Sequence, residues 1–164
     1  MADVLSTVRI TVGGTRAGFG VTGRIDKKLA AVAEAADDLR DCWDEVGALY
    51  AKRQRDIFAR GGRPRWKPLS PDYIAAKRRD GLAGKTLVRT GMLRNAMTSP
   101  RPIRTAPRYV VFGPYRKAPH WTLHKYGSRK MPKRDPLPPL TKAERVQVRD
   151  IIARHLAKTW TRAA

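Results

Sequence analysis

The sequence contains one cysteine, Cys42, among its 164 residues. A single thiol cannot form an intrachain disulfide or a multi-cysteine metal cage, which suits a reducing compartment. The chain also has neither 18 uninterrupted apolar residues nor a basic N-terminal stretch followed by an apolar run. We therefore expect one domain over 1–164, with no signal peptide and no membrane span or membrane partner.

Acidic residues are almost absent from 57–134. This stretch has twenty Lys and Arg against Asp72 and Asp80, a balance of +18 within a net charge of +21 for the chain. Such a density of one sign disfavours folding by self-repulsion and usually has a polyanion or an acidic protein surface as its partner. Eight of the fourteen acids lie in 26–59 instead. They form either a solvated helix face, the more common case, or a surface that meets the basic loops of a neighbouring subunit.

The first third of the chain predicts a strand followed by a long helix. Alternating apolar residues at 8, 10 and 12 indicate an edge strand, followed by a glycine turn at 13–14 and a weak returning strand at 19–21, a hairpin arm over 1–24. Apolar residues recur every three or four positions from Ile25 to Ile57. This spacing predicts an amphipathic helix over 26–59, bent near Asp37 and Asp38. Arg53 occupies an apolar position, where the stripe ends or the arginine stem snorkels.

The remaining elements are shorter. Over 60–97 we expect loop and short helices, with Ser70 capping one helix through Arg79 and Thr90 capping another through Met97. Over 98–139 we expect a strand at 109–113, an edge partner for it within 98–105, and a long proline-rich basic loop. Thr141 and Glu144 form a capping-box pattern that begins a helix over 141–160.

The predicted fold class is therefore α+β. A long N-terminal amphipathic helix and a C-terminal helix are expected to pack on a small, mainly antiparallel β-sheet, with the long proline-rich basic loop beside them.

Few residues suggest catalysis. His120 and His124 have the spacing of two metal ligands on a helix, but the sequence offers no third ligand nearby, so loop histidines are the more common interpretation. Cys42 lies on the buried flank of the first helix, where packing is expected. The N-terminal glycines lack the lysine and spacing of a phosphate-binding loop. We predict no enzyme, with no catalytic, cofactor-binding or metal-binding residues.

Nucleic-acid binding is one interpretation of the charge. The pI is about 11.2, and aromatic residues are interleaved with the cations, as in surfaces that bind a nucleic-acid backbone. No sequence-reading motif is present. The possible DNA-facing residues are Arg101, Arg104, Arg116, Lys117 and Lys125.

Four short motifs follow one another before the terminal helix: Trp66-Lys-Pro-Leu-Ser-Pro71, Thr90-Gly-Met-Leu93, His124-Lys-Tyr-Gly127 and Pro132-Lys-Arg134. In this order they resemble the bacteriophage virion morphogenesis family, the tail-completion or neck proteins. The resemblance covers about residues 26 to 157. One departure is Asp135-Pro136, which stands where relatives are expected to continue with an apolar residue.

The resemblance implies residue roles. The structural motif positions are Trp66, Pro68, Leu69, Ser70, Pro71, Thr90, Gly91 and Leu93. A second set consists of partner or interface positions, for which a packed turn without a binding role is an equally common alternative. These positions are His124, Gly127, Arg129, Lys130, Pro132, Lys133 and Arg134.

The resemblance also implies a function. Proteins of this family are α+β subunits of a ring, for which we expect six copies, at the head-proximal end of the tail. The expected partners are other copies of the chain, the connector or neck proteins, the tail-tube or tail-terminator proteins, and the genomic DNA that passes through. The expected location is the neck or tail of the virion, after assembly in the host cytoplasm. The alternative is a basic protein that binds nucleic acid without sequence preference.

Overall fold

The structure, a computed structural model, describes residues 8–11, 24–82, 84–114, 120–129 and 131–163. These residues form an α+β fold, which confirms the predicted class. Its α-helices are α1 (Arg24–Asp37), α2 (Trp43–Arg60), α3 (Pro71–Arg79), α4 (Met92–Met97), α5 (Trp121–Tyr126) and α6 (Lys142–Arg162), and its strands are β1 (Val8–Thr11), β2 (Arg104–Ala106) and β3 (Tyr109–Phe112).

The prediction of one long helix over 26–59 is wrong, because 38–42 separates α1 from α2. The Asp38 carboxylate accepts hydrogen bonds from the backbone and guanidinium N–H groups of Arg40. The Leu39 N–H donates instead to the carbonyl of Pro107, at 2.8 Å. Aspartate side chains that bind the backbone two residues later compete with helix hydrogen bonds. The break therefore lies at the predicted bend, with a 3-10 turn over Arg40–Cys42 leading into α2.

The sheet has three antiparallel strands in the order β1-β3-β2. Val8 pairs with Phe112 and Arg104 with Val111. β1 is an edge strand and β2 occupies the other edge, as predicted, although β2 extends one residue beyond the predicted range. The predicted turn at 13–14 and returning strand at 19–21 lie outside the described residues.

Local capping signals place two of the helices. Ser70 Oγ accepts a hydrogen bond from the Tyr73 N–H at 3.3 Å, and Pro71 occupies the first turn of α3. The predicted capping box of α6 is present in both directions between Thr141 and Glu144. At α4 the N-cap is Gly91 and not Thr90, because Gly91 takes the left-handed conformation, with φ of 79°.

The core is formed by buried residues of α2 and β3, together with residues of α4, α5 and α6. Tyr50 stacks on Phe112 with ring centroids 4.7 Å apart, and the buried cluster extends from Leu39 to Ile151. α6 packs mainly along α1, with further contacts to α2. Its Val148 and Ile151 belong to the same buried cluster as Val110 and Phe112 of β3, so the C-terminal helix shares the core with the sheet.

The segment 114–139 is not all loop. α5 occupies Trp121–Tyr126, where no proline intervenes, and its Trp121 is buried in the core. Ser128 and Met131 then form an antiparallel bridge. Because prolines flank this short helix, the sequence pattern predicts a loop there, although one buried tryptophan anchors the helix in the core.

Candidate functional site

A pocket of about 1000 Å³ lies between α3, the segment 87–93, α5 and the segment 131–134. Three separate parts of the chain that carry the motifs meet at its wall. The first part contributes Pro68, Leu69 and Ser70, the second Thr90, Gly91 and Leu93, and the third His124, Pro132 and Arg134. The pocket therefore unites residues that are as far apart as 66 positions in the sequence.

The first part is held in place by Trp66. Its indole Nε1–H donates to the carbonyl of Asp135 at 2.9 Å, and its ring packs edge-to-face on Phe58. Gly62 lies against the ring, and a Cβ at that position would be 2.6 Å from the indole. These three contacts fix the path of 66–71 towards α3, so Trp66 supports the pocket without lining it.

The second part is tied to α3 by Lys77. This side chain is 3% exposed, and its Nζ donates to the carbonyls of Lys85 at 3.0 Å and Val88 at 2.8 Å. The segment 85–88 is thereby drawn onto α3. Burial, and then the charge of Arg89, lower the pKa of Lys77.

The third part is a hairpin that Arg134 closes. Its backbone N–H donates to the carbonyl of His124 at 2.7 Å, and its guanidinium donates to the carbonyls of Lys67 and Pro68 at 2.8 and 2.9 Å. Gly127 permits the turn, since its φ is 79° and a Cβ there would be 2.9 Å from the Lys133 nitrogen. Arg134, which was predicted as a partner or interface position, is 7% exposed and joins the first and third parts of the pocket.

The two pocket histidines lie together. The ring centroids of His120 and His124 are 5.8 Å apart in an edge-to-face arrangement. Burial, followed by the charges of His120 and Arg134, lowers the pKa of His124, and His124 Nδ1 is buried with no hydrogen-bond partner among the described residues. Within those residues no group of three His, Cys, Asp or Glu side chains is placed to hold a metal ion.

The pocket wall carries charge of one sign. Its ionisable side chains, other than Tyr73, are Lys77, Arg89, Arg134, His120 and His124, and the described wall contains no carboxylate. The same wall includes the apolar side chains of Leu69, Met92 and Met131. This combination suits an anionic group attached to an apolar one.

Tyr73 was not among the predicted site residues. It lines the pocket from α3, four residues before Lys77 and therefore on the same helix face. The spacing of four residues between Tyr73 and Lys77 is the signal that identifies Tyr73, once Lys77 is known to face the pocket.

The other predicted positions lie outside the pocket wall. Arg129 and Lys133 are exposed on and after the turn. Arg101, before β2, and Arg104, the first residue of β2, are exposed as well. The Lys125 ammonium lies 5.8 Å from the ring centroids of both Trp121 and Tyr126. Lys130, Arg116 and Lys117 lie outside the described residues.

Arg53 forms a second charged cluster, away from the pocket wall. Its side chain is 4% exposed, and its Nε lies 3.2 Å from Glu144 Oε1. Arg63 reaches the same carboxylate at 2.5 Å. Arg53 also donates to the carbonyls of Pro138 and Pro139. The arginine in the apolar stripe thus neither ends the stripe nor snorkels to solvent, and it joins α2 to the start of α6.

No protein-family model, curated protein or solved structure matches this chain. None of the helices in the described residues is long and apolar enough to cross a membrane.

Cys42, which was expected to pack, is 4% exposed, and burial raises the pKa of its thiol to about 11.

Proposed function

We propose that this chain is a structural phage protein of the virion neck or tail end. It forms a ring of six copies that completes the tail and joins it to the head connector, with DNA passing through. Its partners are the connector or neck proteins and the tail-tube or tail-terminator proteins. It works through its interfaces, without catalysis or a cofactor, and resides in the virion after assembly in the host cytoplasm.

The observation that carries this proposal is the meeting of the motifs in one pocket. Chance matches to short motifs at 66–71, 90–93 and 124–134 have no reason to fold to one place. Here they share a wall, and Arg134 of the last motif binds the backbone of the first. This favours a family resemblance that rests on a common structural unit.

The charge distribution supports a ring. A closed ring has heterologous contacts, so each subunit presents two different complementary patches. Asp41, Asp44 and Asp56 are exposed on the 3-10 turn and α2, and form no ion pair within the described residues. Arg129 and Lys133 are exposed on the basic segment 114–139, whose charge is opposite to that of these aspartates. We propose that this proline-rich segment docks on the acidic helix of the next copy.

One observation favours the alternative, a protein that binds nucleic acid without sequence preference. Tyr126 is 65% exposed beside Lys125, and Arg104 lies over Tyr109 at 5.7 Å. Exposed aromatic rings next to cations are typical of surfaces on which bases stack.

The test is charge reversal of the basic turn. A variant with Arg129→Glu, Lys130→Glu and Lys133→Glu is expected to stay folded but to abolish assembly or DNA retention when it replaces the wild-type chain. The matched control carries Lys142→Glu, Lys158→Glu and Arg162→Glu, which change the net charge equally at exposed positions of α6. Particle yields that are the same for wild type and the turn variant would contradict the proposal.

A further inference from the structure

Two cations at the pocket are buried without a counter-ion among the described residues. Lys77 is 3% exposed and Arg134 is 7% exposed. Each donates to two backbone carbonyls, and neither forms an ion pair in the part of the chain that the structure describes. A buried charge that is only partly compensated by neutral acceptors favours an anion nearby.

The same pocket also presents exposed apolar surface to a ligand. Met92 is 53% exposed and Tyr73 is 45% exposed, although both side chains are largely hydrophobic. Both lie on the pocket wall, with the half-buried Leu69 and Met131. Exposed apolar side chains that cluster around a concave site are typical of a site for a protein segment.

We infer that this pocket binds an extended acidic segment of a partner protein, with a carboxylate between Lys77, Arg89 and Arg134 and a neighbouring apolar side chain against Met92 and Tyr73. The inference rests on the proposed function in one respect, that the partner is another protein of the particle. His124 also lies on the wall, and its buried Nδ1 has no hydrogen-bond partner among the described residues.

The chemistry favours a peptide over a nucleic-acid backbone. A phosphodiester chain satisfies the cations but has no apolar side chain to cover Met92 and Leu69.

Five acids of this chain are held where they are poorly suited to the pocket. Asp41 lies in the 3-10 turn, and Asp44 and Asp56 lie within α2, where a carboxylate cannot extend from a flexible backbone. Asp135 accepts a hydrogen bond from the Leu137 N–H, and Glu144 is held by two arginines. An extended segment of a different chain is therefore the occupant to which we commit.

The experiment uses the full-length chain and an array of fluorescent hexapeptides. Each peptide has two Asp or Glu residues among Leu, Phe and Met, and each has a counterpart in which Asn or Gln replaces the acids. We expect acidic peptides to bind at least tenfold more tightly than their counterparts by fluorescence anisotropy. The ring resonances of His120 and His124 should shift with the acidic peptide and not with its counterpart.

Variants at exposed wall positions locate the site without loss of the fold. Arg89→Glu and Met92→Asp are expected to weaken the best acidic peptide at least tenfold. Arg55→Glu makes the same charge change as Arg89→Glu at an exposed position of α2 away from the pocket, and should leave binding unchanged. Equal losses in Arg55→Glu and Arg89→Glu would mean nonspecific charge attraction and would overturn the inference.

Two other results would also overturn it. One is an array in which no acidic peptide binds better than its neutral counterpart. The other is a duplex that displaces the peptide and itself loses affinity in Arg89→Glu, which would assign the pocket to nucleic acid. Ring formation is measured separately by solution mass, with and without tails or connectors, so a chain that binds acidic peptides but forms no ring under either condition refutes the ring and leaves the pocket inference standing.

Discussion

Replacement of Glu144 with glutamine tests the charged cluster at the start of α6. The carboxylate lies 3.2 Å from Arg53 Nε and accepts hydrogen bonds from Arg63 at 2.5 and 2.9 Å. It also accepts from the Thr141 N–H at 2.8 Å. Glutamine can still reach that N–H, so the capping box survives while both ion pairs are lost.

The magnitude follows from the pKa of Glu144. Burial by itself raises this pKa, but the hydrogen bonds from Arg63 and Thr141 and the charge of Arg53 outweigh burial and lower it from 4.5 to about 2. A shift of this size corresponds to about 3 kcal/mol in the free energy of unfolding. Loss of one partner of a buried ion pair costs a similar amount, about 3–5 kcal/mol. We expect Glu144→Gln to lose about 3 kcal/mol at pH 7.

The pH dependence has a definite sign. Because the folded pKa lies below the unfolded pKa, the contribution is complete above pH 4.5 and is lost as the pH falls towards 2. By the linkage relation, more than about half of the difference between wild type and Glu144→Gln should be gone at pH 3.

Urea denaturation followed by tryptophan fluorescence at pH 7 and pH 3 measures both effects. The control is Glu45→Gln, which removes the exposed pair between Glu45 and Arg154 and should cost less than about 1 kcal/mol. If Glu144→Gln costs no more than Glu45→Gln at pH 7, or keeps its full deficit at pH 3, the reasoning is wrong.

Three further predictions concern local packing. Gly127→Ala should lower the melting temperature more than Gly81→Ala, because both glycines have positive φ but only Gly127 lies against backbone; equal losses would contradict the steric account. Gly47→Ala should destabilise, although alanine usually stabilises a helix interior by about 0.5–1 kcal/mol, because its Cβ would be 2.4 Å from the Pro100 oxygen. A gain in unfolding free energy would contradict this. With its pKa raised from 9.0 to about 11, Cys42 should react with iodoacetamide about a hundredfold more slowly in folded than in unfolded protein; equal rates would refute its burial.

Features that depend on neighbouring residues were predictable from the sequence. The caps at Ser70 and Thr141 and the strand at 109–112 each carry their own signal within a few positions. The start of α4 was misplaced by one residue, because a left-handed Gly91 replaced Thr90 as the cap.

Features that depend on distant contacts were not predictable. The helix break at 38–42 needs the Pro107 carbonyl to accept from Leu39, and the burial of Arg53 needs Glu144 beside it. The motif residues could be named in advance, but their meeting at one pocket follows from the long-range bonds of Arg134. The spacing of the motifs along the sequence does not predict that they meet.

The most direct test of the proposed ring is the mass of the full-length chain in solution. Light scattering would be recorded at low and moderate salt, with and without a nonspecific DNA duplex. We predict a closed oligomer whose mass is unaffected by salt, or a monomer that forms rings only when tails or connectors are added. A monomer or dimer that ignores tails and connectors and binds the duplex, with an affinity that falls steeply as salt rises, would contradict the ring and favour a nucleic-acid-binding protein.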